Sequence, residues 1–193
     1  VKVVASGDVA VSPRTVSVVV PTYCSEKFID GFVERVVAVF ADLEEDLDLI
    51  LVNDASPDGT WSRLCALKER YPTQIQIISL LKNSGQHNAI LCGLHYANGD
   101  VTVTMDDDLQ HPPEEIPKLI KALDEGVDLV IAASEEKQHA KYRNLAGEMI
   151  DGIIRHVYKL PKTLQLTSFR AVRGSVVSVA RRSANPYPYI TCI

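Results

Sequence analysis

The chain has no excess of positive charge. Its 20 Lys and Arg stand against 25 Asp and Glu, giving a formal net charge of -5 and a pI near 5.5, which argues against nucleic acid as the main partner. Cysteine is sparse: Cys24, Cys65, Cys92 and Cys192 form neither a CxxC pair nor a metal-ligand spacing, so they read as buried thiols of a reducing compartment. Long apolar runs are missing too, and the opening "VKVVASGDVAVSPRT" lacks the basic and apolar blocks of a signal peptide. The expectation is a chain that is soluble as it stands. There is no internal repeat and no low-complexity segment. A Walker loop is absent, because "KNSGQHN" lacks the second glycine and the GK[ST] ending, and no GxGxxG occurs; kinase, ATPase and dehydrogenase readings weaken accordingly.

What is present is an alternation of short β-branched runs with amphipathic stretches. "TVSVVVP" reads as a strand, and "FIDGFVERVVAVFADL" places Phe28, Phe32, Val36 and Phe40 at helical spacing. "DLDLILVND", "IQIISLL", "DVTVTM" and "VDLVIAAS" are further strands, each followed by a helical pattern, the last of which runs near Lys141 to Tyr158. Beyond Lys159, "TLQLTSF" is expected to be another strand and "VRGSVVSVARRS" a short helix. Five strand-helix units in series imply an α/β fold: a Rossmann-like, mostly parallel sheet with helices on both faces. With 193 residues and 46% hydrophobic content, the chain can bury one full core.

Such sheets bind ligands at the carboxyl ends of their strands, and the unusual polar clusters fall there. In "PTYCSE", Pro21 ends the strand and Tyr23 is free either to stack on a base or to sit as partial core. In "NDASPDGTW", Ser56 or Asp58 can cap the next helix, while the strand-end Asp54 can accept hydrogen bonds from a base or ribose. In "KNSGQHN", Lys82 and Asn83 precede a helix start and make a plausible phosphate neighbour. The strongest cluster is "MDDDLQHPPEEI". Asp106 and Asp108, two apart on an extended segment, can point the same way while Asp107 points elsewhere, and Gln110 continues the alternation with a neutral oxygen. His111, before two prolines, reads as structural. The competing reading is an acidic solvated turn that caps the helix near Pro113, where Glu114 and Glu115 suit the dipole. The long helix near Lys141 to Tyr158 reads either as a core-facing helix with a solvated basic face or as an interfacial helix and anionic-acceptor site.

The segments "VSVVVPTYCSE", "LILVNDASPDGTW", "NSGQHNAILCGLHYANGDVTVTMDDDLQHPPEEI" and "LTSFRAVRGSVV" together resemble the inverting glycosyltransferases of family 2. These have the GT-A fold, also called the nucleotide-diphospho-sugar transferase fold. The resemblance spans roughly Val16 to Val177, and it is strongest to the branch of dolichol-phosphate mannosyltransferases and undecaprenyl-phosphate sugar transferases. It implies a nucleoside-diphosphate sugar donor, a Mg or Mn cation, and an acceptor that is a lipid phosphate or a saccharide. Carried over by motif, Pro21, Tyr23, Asp54, Lys82 and Asp106 would hold the nucleotide sugar. Asp106, Asp108 and Gln110 would hold the metal. Asp106, Asp108, Arg143 and Arg170 would carry catalysis.

The sequence also departs from that branch. "IAASEEK" has no Arg after the fifth strand, Gly147 stands four residues after Arg143 where a Ser is usual, and Ser168 replaces the Asp of many relatives. Glu135, Glu136, Glu148 and Asp151 are candidate bases without a motif. A phosphate acceptor is already ionised and needs no base, whereas a hydroxyl does. The expected activity is transfer to a polyprenyl phosphate in bacterial cell-envelope glycan synthesis, in the cytoplasm at the inner face of the plasma membrane, with peripheral membrane contact through "KYRNLAGEMIDGIIRHVYK". The rivals are transfer to a sugar hydroxyl in surface polysaccharide, a nucleotidyltransferase, and a non-catalytic nucleotide- or cation-binding module. Residues 1–14 are expected to be a disordered N-terminal leader, and residues 15–193 the catalytic domain, truncated at its C-terminus. Oligomeric state is open.

Overall fold

Runs of Val and Ile with no polar interruption favour strands buried on both faces. That is what the computed structural model contains; it describes residues 13–132 and 167–181. The strands are β1 (Thr15–Thr22), β2 (Asp46–Asn53), β3 (Ile75–Ser79), β4 (Val101–Thr104), β5 (Leu129–Ile131) and β6 (Arg170–Arg173). They form one sheet in the order β3-β2-β1-β4-β6-β5. β1 pairs in parallel with β2 and β4, and β2 with β3, while β6 runs antiparallel between β4 and β5. The mostly parallel sheet is therefore as expected, with one reversed strand inserted near its edge. That strand begins at Arg170: Thr167, Ser168 and Phe169 of the expected strand are irregular, and residues 163–166 lie outside the described residues.

Alternation along the strands sends side chains to two cores. Val18 and Val20 on β1 and Leu49 and Leu51 on β2 pack with Phe32 and Val36 of α1 (Ile29–Ala41), Leu64 and Leu67 of α2 (Thr60–Arg70), and Leu119 and Leu123 of α4 (Ile116–Asp124). Val19, Ile50 and Val52 turn the other way, toward Ala89, Ile90 and Leu94 of α3 (Gln86–Tyr96) and Val177 of α5 (Gly174–Ala180). A period of two in the strands thus divides the helices into two layers. Each fully buried Val or Leu contributes roughly 1.5–3 kcal/mol relative to an exposed one. Phe28, expected on the apolar stripe of α1, instead sits at the helix entry, 39% exposed.

Glu114 and Glu115 occupy a 3-10 turn, Pro113–Glu115, that leads into α4. Arg35 of α1 grips Glu114 with two hydrogen bonds of 2.9 and 2.7 Å, fixing the turn beyond the acidic triplet. At the other end of the sheet, Arg14 pairs with Glu45 at 2.7 Å and with Asp124 at 2.6 Å. The last residue of the expected leader is thus tied to the body of the fold. The thiols are more accessible than expected: Cys24 is exposed, and Cys65 and Cys92 are partly buried, all three free. Cys24 sits in a surface loop, Cys65 is partly buried on α2, and Cys92 of α3 packs against the second core at its margin. Cys192 lies outside the described residues.

Candidate functional site

Parallel strands that end together leave their following loops side by side. A cleft of about 330 Å³ opens there, lined by Pro21, Thr22 and Tyr23 after β1, Asp54 after β2, Asn83, Gly85 and Gln86 before α3, and Asp106, Asp107 and Asp108 after β4. Three non-glycine residues in these loops have left-handed backbones: Cys24 at φ 56, Ala55 at φ 53 and Leu109 at φ 60. Such conformations are sparsely populated for L-residues and persist only where surrounding contacts enforce them.

Those contacts are visible. The Cys24 N–H donates to the Ser56 hydroxyl at 3.1 Å and the Ser25 N–H to the Thr60 hydroxyl at 2.8 Å. Glu26 accepts the Gly59 N–H at 3.0 Å, at the entry to α2. Asp58 accepts both the N–H and the hydroxyl of Thr60, at 3.2 and 2.6 Å, and these bonds hold its carboxyl below the usual range. The cap of α2 is Gly59, without a side-chain capping bond, so neither Ser56 nor Asp58 is the N-cap that the sequence allowed; Asp58 instead braces the first helical residue from the position before the cap. The first and second loops form one hydrogen-bonded unit.

Asp54 is nearly inaccessible, at 4% exposure. Its two oxygens accept the backbone N–H groups of Ser84 and Gly85 at 2.7 and 2.8 Å. It thereby places a carboxylate at the start of α3, where unpaired amides and the helix dipole favour one. Gly85 at φ 86 supplies the turn that delivers those amides. The sequence pointed to Asp54 as a ligand-binding group; its part in holding the third loop was not legible there.

The acidic triplet departs from strict alternation. Asp107 lines the same cleft as its neighbours and accepts the Ser25 hydroxyl. Burial pushes its carboxyl up to about 6, and the nearby Asp106 and Asp108 add to the rise. Asp106 accepts the Gln86 side-chain amide on one oxygen and the Ser168 hydroxyl on the other. Burial raises its carboxyl as well. Asp108 is exposed to the cleft and accepts the Gln110 N–H at 3.0 Å.

Arg170 supplies a positive charge beside this cluster. It is 7% exposed, donates to the Thr167 carbonyl at 2.8 Å, and interacts electrostatically with Asp106 and with His87. Burial and the Arg170 charge keep His87 below its ordinary value, against a smaller opposing effect of Asp106. His87, Gln86, Ser25 and Asp107 were not singled out as site residues in the sequence, whereas Asn83, expected beside a phosphate, does line the cleft. The signal for the first two was their place just after the glycine that opens α3, and for Ser25 its place in the first strand-end loop. His111 packs its ring 5.3 Å from that of Phe169, the structural role expected of it.

Two expected site residues fall outside the cleft. Lys82 is exposed and borders a separate depression with Leu80, Asn83, Ser84 and Asn88, because Asp54 draws the following amides inward and leaves Lys82 on the outer side of the loop. Gln110 is exposed and does not line the cleft; the left-handed turn at Leu109 breaks the extended alternation that was to align it with Asp106 and Asp108. Arg143 and the helix expected around it lie outside the described residues. Among the described residues no three His, Cys, Asp or Glu side chains are gathered as a ready-made metal centre, and no helix is long and apolar enough to cross a membrane.

Among the described residues, the sheet order with its reversed strand β6 is that of the GT-A fold. The family model described as "Glycosyl transferase family 2" matches residues 17–184, and the chain belongs to that family. A curated relative, undecaprenyl-phosphate 4-deoxy-4-formamido-L-arabinose transferase of Edwardsiella ictaluri, is 33% identical over 84% of this chain and 50% of its own length. The chain thus spans about half the length of that relative. Among solved structures, glucosyl-3-phosphoglycerate synthase of Mycobacterium tuberculosis with Mn2+, UDP-glucose and phosphoglyceric acid superposes at a TM-score of 0.64. It is 24% identical over 84% of this chain and 58% of that one. A mannosyltransferase of Pyrobaculum calidifontis with GDP-mannose and Mn2+ gives 0.62, at 18% identity over 89% of this chain and 47% of that one.

Proposed function

We propose that this chain moves a sugar from a nucleoside-diphosphate sugar to a polyprenyl phosphate, with inversion at the sugar carbon and with a Mg or Mn ion bound. The observation that carries this reading is the convergence of Pro21, Tyr23, Asp54, Asp106 and Asp108 in one cleft at the ends of parallel strands. Tyr23 is half-exposed at the cleft wall and offers a ring face to a base. The Asp54 oxygens, each already accepting one amide, keep a second lone pair for a base or ribose donor.

The donor set fits a hard cation. Small divalent ions are commonly held by one or two carboxylates together with substrate phosphates, without an all-protein cage. Asp106 and Asp108 are those carboxylates here. When bound, the cation stabilises the charge that gathers on the leaving diphosphate. Arg170 places a fixed positive charge on the inner side of the same region.

A phosphate acceptor arrives ionised and needs no base, and the curated relative is named for undecaprenyl phosphate. A lipid acceptor places the reaction at a membrane surface, on the cytoplasmic side where nucleotide sugars are made, with residues 141–159 proposed as the contact.

The test is transfer to a short-chain prenyl phosphate by the purified chain with Mn2+. Asp106→Ala and Asp108→Ala are each expected to lower turnover by about 100-fold or more while the far-UV spectrum stays that of the parent. Undiminished turnover in both variants would refute the cation role. Transfer to a sugar hydroxyl but not to prenyl phosphate would refute the acceptor.

A further inference from the structure

Asp106 is held from two sides. Gln86, the first residue of α3, donates its amide to Oδ1. Ser168, in the segment entering β6, donates its hydroxyl to Oδ2 at 2.6 Å. Each donor is anchored in turn. The Ser168 carbonyl accepts the hydroxyl of Thr104, the last residue of β4, at 2.6 Å. Gln86 follows Gly85, whose N–H is fixed on Asp54 at 2.8 Å. The carboxylate therefore takes its orientation from β4 on one oxygen and, through Asp54, from the end of β2 on the other.

Both donors are neutral. An amide and a hydroxyl fix the direction of the carboxylate without adding to the positive charge that Arg170 already sets beside it. With one hydrogen bond per oxygen among the described residues, each oxygen keeps a second lone pair. Partners of this kind around a metal-binding carboxylate typically change metal affinity by 10- to 100-fold when removed.

We infer that Gln86 and Ser168 are positioning residues that clamp Asp106 for a divalent cation, and that neither touches the cation itself. The inference rests on the reading of Asp106 as a cation ligand. Through Ser168 the clamp also makes the ligand's orientation depend on the chain entering β6, the strand that carries Arg170.

The experiment is titration of the 193-residue chain with Mn2+, alone and in the presence of UDP, GDP, CDP or dTDP, followed by water-proton relaxation, beside melting of the metal-free protein. Gln86→Ala and Ser168→Ala are each expected to weaken Mn2+ binding by about 10-fold or more, with metal-free melting within a degree or two of the parent. Ser168→Thr keeps the hydroxyl and is expected to recover most of the affinity. Parental Mn2+ affinity in both alanine variants would overturn the clamp and leave the proposed function standing. Loss in Ser168→Ala without recovery in Ser168→Thr would overturn the hydroxyl's role. Mn2+ binding by the parent that is absent both alone and with each nucleoside diphosphate, or unchanged by Asp106→Ala, would overturn both the clamp and the reading beneath it.

Discussion

Asp107 holds a proton longer than an ordinary carboxyl. Burial is the main cause, the Ser25 hydroxyl opposes it, and the charges of Asp106 and Asp108 reinforce it, leaving the group at about 6 against 3.8. Between those two values the folded chain binds more protons than the unfolded chain, so stability falls as pH rises through this window and the loss is complete above about 6. A shift of this size corresponds to about 3 kcal/mol at most. Asp107→Asn keeps an acceptor for Ser25 and removes the titration. In urea unfolding of the metal-free protein, the variant is expected to gain stability relative to the parent by up to about 3 kcal/mol more at pH 7.5 than at pH 4. An equal difference at the two pH values would show that Asp107 does not titrate in this way. The residue was visible in the sequence as the middle of an acidic triplet. Its burial was not, because burial depends on Ser25, a residue 82 positions away.

At the scale of elements, α3 decides where the third loop lies. Gly93 faces the sheet, and a Cβ there would run into the methyl groups of Val19 and Val52. Those β-branched side chains, fully buried on β1 and β2, have little freedom to move aside. Gly93→Ala is expected to destabilise the fold by about 1–3 kcal/mol through overpacking, read as a lower urea midpoint with unchanged slope. An unchanged midpoint would mean that the helix lifts at no penalty. Strands and helices of this kind were legible from periodicity alone, since β1 to β4 and α1 to α4 each follow a run of matching pattern. The exception is β6: Arg170–Arg173 pairs antiparallel with β4 and β5, and nothing local in "FRAVR" says which neighbours or which direction it will take.

Taken as a whole, the molecule is a scaffold whose four strand-end loops meet around one cleft, so a ligand that touches several of them stabilises the entire fold. A nucleoside diphosphate with Mn2+ is expected to raise the melting temperature by several degrees, equivalent to about 2.7 kcal/mol at 100 times its Kd. Comparison of UDP, GDP, CDP and dTDP identifies the base. The shift should vanish in Asp108→Ala, and no shift with any of the four would argue against a nucleotide site. The sequence by itself determined the α/β alternation, the two-sided burial of the sheet and the polar clusters at the strand ends, because periodicity and chain order are local properties. The tertiary structure alone decided that Asp54 anchors the third loop, that Lys82 and Gln110 are not among the residues lining the cleft, and that Gln86 and Ser168 converge on Asp106. Those outcomes depend on which loops become neighbours and on a left-handed turn at Leu109, and chain order does not specify either.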